Sequence, residues 1–199
     1  MSAITDLKKT RVAWSAPVKP GQWHAGFSTV KAYAGNNAVP LFGVWAEDSC
    51  GKSNAFCKCL LSAQFKAWQK SSGVALWCGF HSDSGEDGFE GKGFKWTRKN
   101  VLTQYPFVRL YWKKGGIDVC MSGAEWGNSG AAIVKKLKGY LKNYDPTPAP
   151  VPAPATDIIA LPCTAAALET ALHGVCDAAA LWLSTVRYSG GKLVLEAAK

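Results

Sequence analysis

The chain has 199 residues, a formal net charge of +9 and a hydrophobic content of 48%. These values are typical of one globular domain, with or without an appendage, and no apolar run is long enough to span a membrane. The lysines are scattered, and neither paired Cys-x-x-Cys zinc spacing nor a helix-turn-helix accompanies them, so the charge alone does not indicate a specific nucleic-acid-binding protein. No apolar secretory signal follows the basic N-terminal residues, so we expect synthesis in a reducing cytosol.

Helical and strand-like patterns alternate in the first part of the chain. Residues 1–21 predict an extended N-terminal arm, and His24–Ala34 predicts a short helix that ends at Gly35-Asn36-Asn37. Val39–Trp45 is almost wholly apolar, as expected of a strand covered on both faces. Ser53–Ser72 has apolar residues at helical spacing and predicts a helix.

The middle of the chain continues this alternation. Gly73–Phe80 predicts a second buried strand. The acidic, glycine-rich Ser82–Gly93 lacks EF-hand spacing, so we expect a surface loop in which Asp83 and Glu86 are solvated. Thr97–Gln104 predicts a short helix. The last predicted elements of this part are the strands Phe107–Trp112 and Ile117–Met121 and the helix Ser129–Tyr144.

A proline-rich segment separates this part from the C-terminal residues. Within Asp145–Thr156, residues 146–156 predict a semi-rigid spacer, because proline lacks a backbone donor and blocks helix formation. Beyond it, Thr164–Tyr188 predicts an amphipathic helix, followed by a strand-like tail at Lys192–Glu196. A lone helix cannot bury its apolar stripe, so residues 157–199 either dock on their own domain, self-associate or bind a protein partner; we favour a partner or another copy. The predicted partner-binding stripe contains Leu168, Leu172, Val175, Cys176, Ala179, Trp182 and Val186.

Two local patterns and the order of elements resemble the thioredoxin-like fold family over roughly residues 22–145. Trp45-Ala46-Glu47 leads from a buried strand toward a cysteine and a helix, and Tyr105-Pro106-Phe107 places a proline at a strand start. The resemblance implies a three-layer α/β fold with a central mixed sheet, and a cis-proline at Pro106 beside the peptide-binding groove. Enzymes of this family carry Cys-x-x-Cys at a helix N-terminus, where the first thiolate attacks and the second cysteine resolves.

The cysteine side of this site departs from the family pattern. Cys50-Gly51-Lys52-Ser53 aligns best with the motif, after one extra residue, and places Ser53 at the resolving position; Cys-Gly-x-Ser is similar to monothiol glutaredoxin-type sites. Cys57 is the other candidate resolver. In a continuous helix it would lie about 10 Å from Cys50 along the axis, whereas a disulfide needs Cα atoms within about 7 Å. Their pairing therefore requires a loop at Gly51–Asn54.

No other constellation in the sequence predicts a catalytic, cofactor or metal site. The seven cysteines cannot all pair with one another, and Cys78 and Cys120 lie in apolar strands that predict buried, inert thiols. A metal site formed by Cys50, Cys57 and Cys59 would have no fourth ligand nearby in the sequence, which disfavours metal binding. There is no P-loop and no Gly-x-Ser-x-Gly motif. The histidines are isolated in the sequence: His24, His81 and His173.

Two functions are consistent with these sequence patterns. The first is a non-catalytic thioredoxin-fold structural or binding module, anchored in a larger assembly through residues 157–199; a particle of repeated structural proteins, such as a bacteriophage virion, is the assembly we expect. Its cysteines would then be relics or packing residues. The alternative is a thiol–disulfide oxidoreductase in which Cys50 is the nucleophile, Ser53 or Cys57 the neighbouring site group, and Pro106 the groove residue.

Overall fold

The chain divides into two compact units, Met1–Pro148 and Ala149–Lys199. No helix in the described part of the chain is both long and apolar enough to cross a membrane. The computed structural model describes residues 2–13, 16–99, 104–146, 183–189 and 192–197.

The first unit alternates helices and strands. Its helices are α1 (Ala3–Thr10), α2 (Phe27–Asn36), α3 (Gly51–Leu60), α4 (Ala63–Ser71), α5 (Lys92–Thr97), α6 (Gly123–Trp126) and α7 (Gly130–Tyr140). Its strands are β1 (Trp23–His24), β2 (Leu41–Ala46), β3 (Ala75–Phe80), β4 (Phe107–Trp112) and β5 (Ile117–Ser122), and a short 3-10 helix spans Gly85–Asp87.

These five strands form one mixed sheet in the order β1-β3-β2-β4-β5. Strands β1 and β2 run parallel to β3, whereas β4 is antiparallel to β2 and β5 is antiparallel to β4. Strand β2 is thus paired on both sides, and all six of its residues are buried, in keeping with its continuous apolar sequence. The prediction of an α/β domain with a central mixed sheet is confirmed.

Helices cover both faces of the sheet because successive strand residues point to opposite sides. From β2, Phe42 and Val44 join a buried cluster with residues of α1, α3, α4 and α7. Leu41 and Trp45 join a second cluster with residues of α2 and α5. The end of β2 is therefore packed on both faces, and this packing fixes where the following loop leaves the sheet.

The predicted extended arm at residues 1–21 is wrong for Ala3–Thr10, which forms α1. The Ser2 side chain caps this helix by accepting a hydrogen bond from the Ile4 N–H at 3.3 Å. Ile4 and Leu7 are buried against the core. A serine cap followed by apolar residues three apart is a helix signal, and the arm prediction overlooked it.

Three predicted helices have different bounds in the structure. His24 belongs to β1, so α2 begins at Phe27 instead. The predicted helix Ser53–Ser72 is two helices, α3 and α4. Ser62 lies between them, and its side chain caps the N-terminus of α4. Helix α5 ends at Thr97, where the predicted helix Thr97–Gln104 begins, and residues 100–103 of that prediction lie outside the described ranges.

The described part of the second unit is a two-stranded antiparallel sheet of β6 (Leu183–Ser189) and β7 (Lys192–Ala197). The strand predicted at Lys192–Glu196 is confirmed. The predicted helix Thr164–Tyr188 is wrong from residue 183 onward, where strand pairing and alternation of the sequence LSTVRYS decide the structure. Its earlier part lies outside the described residues.

Most of the predicted C-terminal features lie outside the described residues as well. Val186 of the predicted partner-binding stripe lies in β6. Of the predicted spacer at residues 146–156, only Pro146 is described. The other stripe residues lie outside the described ranges: Leu168, Leu172, Val175, Cys176, Ala179 and Trp182.

Candidate functional site

The predicted nucleophile lies at the edge of the sheet where the parallel strands β2 and β3 end. Cys50 is the N-cap residue of α3, with extended backbone angles of φ −85° and ψ 119°. Its carbonyl accepts the Asn54 N–H at 3.0 Å, and the residue is half-buried. Cys50 therefore stands at a helix N-terminus, as the sequence resemblance implies.

Ser53 and Cys57 face the interior from the same helix. Ser53 is fully buried, and its Oγ accepts the Glu47 N–H at 3.1 Å, which ties the loop after β2 to the first turn of α3. Cys57 is fully buried in the core cluster, and this burial raises its pKa to about 12. A thiol in that environment stays protonated and is a poor nucleophile.

Cys50 and Cys57 are not positioned to pair. Helix α3 already begins at Gly51, so the loop that such a disulfide requires is not formed. Seven residues at 1.5 Å per residue separate the two cysteines by about 10 Å along the axis, beyond the roughly 7 Å that a disulfide spans. The structure keeps Cys50 at the helix start and Cys57 in the core.

The remaining described cysteines are apart from this site. Cys59 is half-buried, and burial raises its pKa. Cys78 is fully buried in β3, where burial raises its pKa well above the usual range. Cys120 is only half-buried, and its Sγ donates to the Thr97 carbonyl at 2.7 Å. Within the described ranges, no group of three or more His, Cys, Asp or Glu residues is arranged to hold a metal ion.

Pro106 immediately precedes β4, the strand that neighbours β2. The Tyr105–Pro106 peptide bond is cis, and the Pro106 carbonyl accepts the Gly123 N–H at 2.9 Å. A Cβ atom on Gly123 would lie 2.6 Å from Pro106 Cγ and 3.0 Å from Phe56 Cδ2. Only glycine fits between these two rings, so Pro106 packs close to the helix that Cys50 begins.

A contact between a histidine and a carboxylate lies at this edge and was not predicted from the sequence. His81 Nδ1 lies 2.8 Å from Glu47 Oε2, and the His81 ring stacks on Phe89 with centroids 4.8 Å apart. His81 is isolated in the sequence but has a partner in the fold. Glu47 directly follows β2 and His81 directly follows β3, so the parallel pairing of two apolar strands was the signal that could have found them.

The acidic loop after β3 is structural, which corrects the prediction of solvated charges. Asp83 makes a two-point contact with Arg11, with Oδ2 2.6 Å and Oδ1 3.0 Å from the guanidinium nitrogens. Glu86 accepts the Ser28 N–H at 2.8 Å and also the Ser28 hydroxyl. Asp87 is buried and accepts two backbone N–H groups at the start of α2. Carboxylates at a helix N-terminus accept hydrogen bonds from its unpaired N–H groups and interact favourably with the helix dipole.

A shallow pocket of about 300 Å³ lies beside this loop and α5. It is lined by Glu90, Phe94, Lys95 and Arg98. Phe89, half-exposed at 49%, packs on Phe94 with ring centroids 5.2 Å apart. The pocket thus combines an apolar floor with two cations and one carboxylate.

No protein-family model matches the chain, and no curated protein matches it. The function must therefore be argued from the geometry of the site.

Proposed function

We propose that residues 22–145 form a thioredoxin-like scaffold. Three observations support this proposal: the strand order β1-β3-β2-β4-β5 with β4 and β5 antiparallel to their neighbours, the start of α3 shortly after β2, and Pro106 immediately before β4. The helix start after β2 and the proline at a strand start are the features for which the sequence resembles this family.

On this scaffold we propose a non-catalytic protein-binding module. The observation that carries the proposal is that, in the part of the chain that the structure describes, no second thiol is placed to resolve a mixed disulfide at Cys50. Thiol–disulfide exchange releases its product when a second thiolate attacks the mixed disulfide. Cys57 is buried, and burial raises its pKa to about 12. Ser53 has a hydroxyl in place of a thiol, and this hydroxyl accepts a hydrogen bond from the Glu47 N–H. A dithiol cycle at this helix is therefore not supported.

The proposed anchor is the C-terminal part, residues 157–199. Its described part is a two-stranded sheet, and an isolated two-stranded hairpin is marginally stable at best in water. Contacts beyond the β6–β7 pair are needed to hold it. We propose that a protein partner or another copy of the chain supplies them within a larger assembly.

A second candidate is a thiol–disulfide oxidoreductase that uses Cys50 alone. The half-buried position of Cys50 at the N-terminus of α3 favours it, because the free N–H groups of a helix start stabilise a thiolate. Ser53 at the resolving position and Pro106 close to α3 would complete a monothiol site of this kind.

Turnover of a disulfide substrate separates the two candidates. Insulin reduction with dithiothreitol or glutathione is measured for the full-length protein, for Cys50→Ser and for Cys59→Ser, the last being a matched loss of a half-buried thiol. We expect the three proteins to be equally inactive above the uncatalysed rate. Turnover that Cys50→Ser abolishes and Cys59→Ser preserves would establish the oxidoreductase and overturn the non-catalytic assignment.

A further inference from the structure

Helix α5 presents three cations on one side. Lys92, Lys95 and Arg98 are spaced three residues apart, so they lie along one face of the helix and its C-cap, and all three are exposed. Among the described residues, no carboxylate forms an ion pair with them, in contrast to the neighbouring Lys99, which pairs with Asp118. Their charge is available to an external group.

The pocket at this face lies against buried aromatic rings. The Arg98 guanidinium lies over the rings of Phe94 and Phe107, at 5.6 and 5.9 Å from their centroids. Both rings are 2% exposed. Stacking on an aromatic ring orients a guanidinium without neutralising it. Among the described residues no group accepts a hydrogen bond from the Arg98 side chain, so its donors can bind an anion beside Lys95.

Phe89 adds an apolar element next to these cations. It is one of two large hydrophobic side chains that are exposed among the described residues. The loop that carries it is tightly packed, since a Cβ on Gly88 would lie 2.0 Å from the Asp83 carbonyl oxygen and one on Gly91 would lie 2.5 Å from that of Glu86. The backbone on both sides of Phe89 is therefore closely packed, and the Phe89 ring lies against Phe94 at the pocket.

We propose that the α5 surface, formed by Phe89, Glu90, Phe94, Lys95 and Arg98, binds an acidic peptide segment that carries an apolar side chain beside a carboxylate. Lys95 and Arg98 would bind the carboxylate through charge-assisted hydrogen bonds, and the apolar side chain would pack on Phe89. Glu90, the acidic member of the pocket wall, would accept a peptide N–H.

The carboxylate of Glu90 also decides against a nucleic acid at this surface. Phosphate groups follow one another closely along a strand, and binding strength comes from many cations along a groove. A carboxylate in the pocket wall opposes such a polyanion, whereas it complements a peptide backbone, which has N–H donors. The inference rests on the proposed protein-binding function, but it concerns the first unit and not the C-terminal anchor.

The test uses the full-length protein and a fluorescein-labelled ten-residue peptide of alternating Asp and Leu. Its controls are the same peptide with Asn in place of Asp, and a single-stranded oligonucleotide. Binding is followed by fluorescence anisotropy at low and high salt. We expect Lys95→Glu/Arg98→Glu to weaken binding of the acidic peptide by about tenfold or more, since both charge-assisted contacts become repulsive. The matched control Lys135→Glu/Lys138→Glu, the same charge change on exposed residues of α7, should bind as the wild type does.

The uncharged variant Phe89→Ser separates the apolar contact from charge, and circular dichroism melting shows whether each variant is folded. We expect Phe89→Ser to weaken binding as well. Equal loss in the α7 control, equal binding of the Asn peptide, or stronger binding of the oligonucleotide through the same residues would overturn the inference. Association through residues 157–199 is measured without this peptide, so either result can fail while the other holds.

Discussion

The carboxylate of Asp87 accepts a hydrogen bond from Nε1 of Trp77 at 2.8 Å and so fastens the acidic loop to the centre of the sheet. The same carboxylate accepts the N–H groups of Gly26 and Phe27, each at 2.9 Å, and caps α2. The Asp87 carbonyl accepts Nε1 of Trp45 at 3.1 Å. One residue therefore joins two strands, one helix and the loop that presents the α5 surface.

Replacing Asp87 should destabilise the first unit. Asp87→Ala leaves buried N–H groups without an acceptor, and each such group costs about 1–3 kcal/mol, so we expect the free energy of unfolding to fall by at least about 3 kcal/mol. Asp87→Asn keeps one acceptor oxygen and should cost less. Glu86→Gln, at the exposed side of the same helix start, is the comparison and should cost about 1 kcal/mol or less. Urea unfolding followed by tryptophan fluorescence measures all three, and wild-type stability of Asp87→Ala would contradict the assigned role.

Two glycine substitutions should have opposite effects. A Cβ on Gly93 would lie 2.3 Å from Cζ2 of the buried Trp77, so Gly93→Ala should destabilise the protein by about 1–3 kcal/mol through overpacking. Gly35 lies in α2 with no atom within 4 Å of the added methyl group, so Gly35→Ala should stabilise it by up to about 1 kcal/mol. Thermal melts of both variants check the pair. A stabilising Gly93→Ala would show that the contact between α5 and Trp77 is looser than described.

Asp118 should give the protein an acid-dependent loss of stability. Hydrogen bonds from Arg109, with Nε 2.8 Å from Oδ1, together with Lys99, hold the Asp118 pKa below its ordinary value. A lowered folded-state pKa means that the stabilising contribution is complete above the unfolded-state value of about 3.9 and is lost as the pH falls through the lower folded value. Urea unfolding between pH 2 and pH 5 should show a steeper decline for the wild type than for Asp118→Asn. Identical slopes would argue against the ion pair.

Thiol labelling should distinguish Cys50 from the interior cysteines. A short pulse of iodoacetamide on the folded protein should label Cys50 before Cys57 and Cys78, because burial keeps both interior thiols inaccessible and raises their pKa values, to about 12 for Cys57. Unfolding in urea should make all of them reactive. Peptide mass spectrometry gives the order of labelling. Early labelling of Cys57 would mean that α3 opens and that pairing with Cys50 is again feasible.

The elements that were predictable from sequence are those with a local signature. Strands β2 and β3 are buried on both faces and therefore read as continuous apolar runs. The contacts of Asp87 were not predictable in this way, because its partners Gly26 and Phe27 lie 61 and 60 residues earlier in the chain. A charge in a glycine-rich loop has the same local sequence whether it is solvated or caps a distant helix.

The candidate site shows the same division. The position of Cys50 before a helix followed from the strand and helix patterns around it, and the distance argument against a Cys50–Cys57 disulfide needed only helix geometry. The pairing of Glu47 with His81 depends on which strands are neighbours. That information comes from the fold and not from either residue's surroundings in sequence.

The claim that the C-terminal part mediates association is tested most directly by sedimentation velocity of the full-length protein and of a chain ending at Pro148. Both hydrophobic clusters of the first unit lie between Ala3 and Tyr144, so the shortened chain should remain folded. We predict that the full-length protein sediments above monomer mass, increasingly with concentration, and that the shortened chain stays monomeric. A full-length protein that remains a soluble monomer at every concentration, or a shortened chain that associates equally, would contradict the claim.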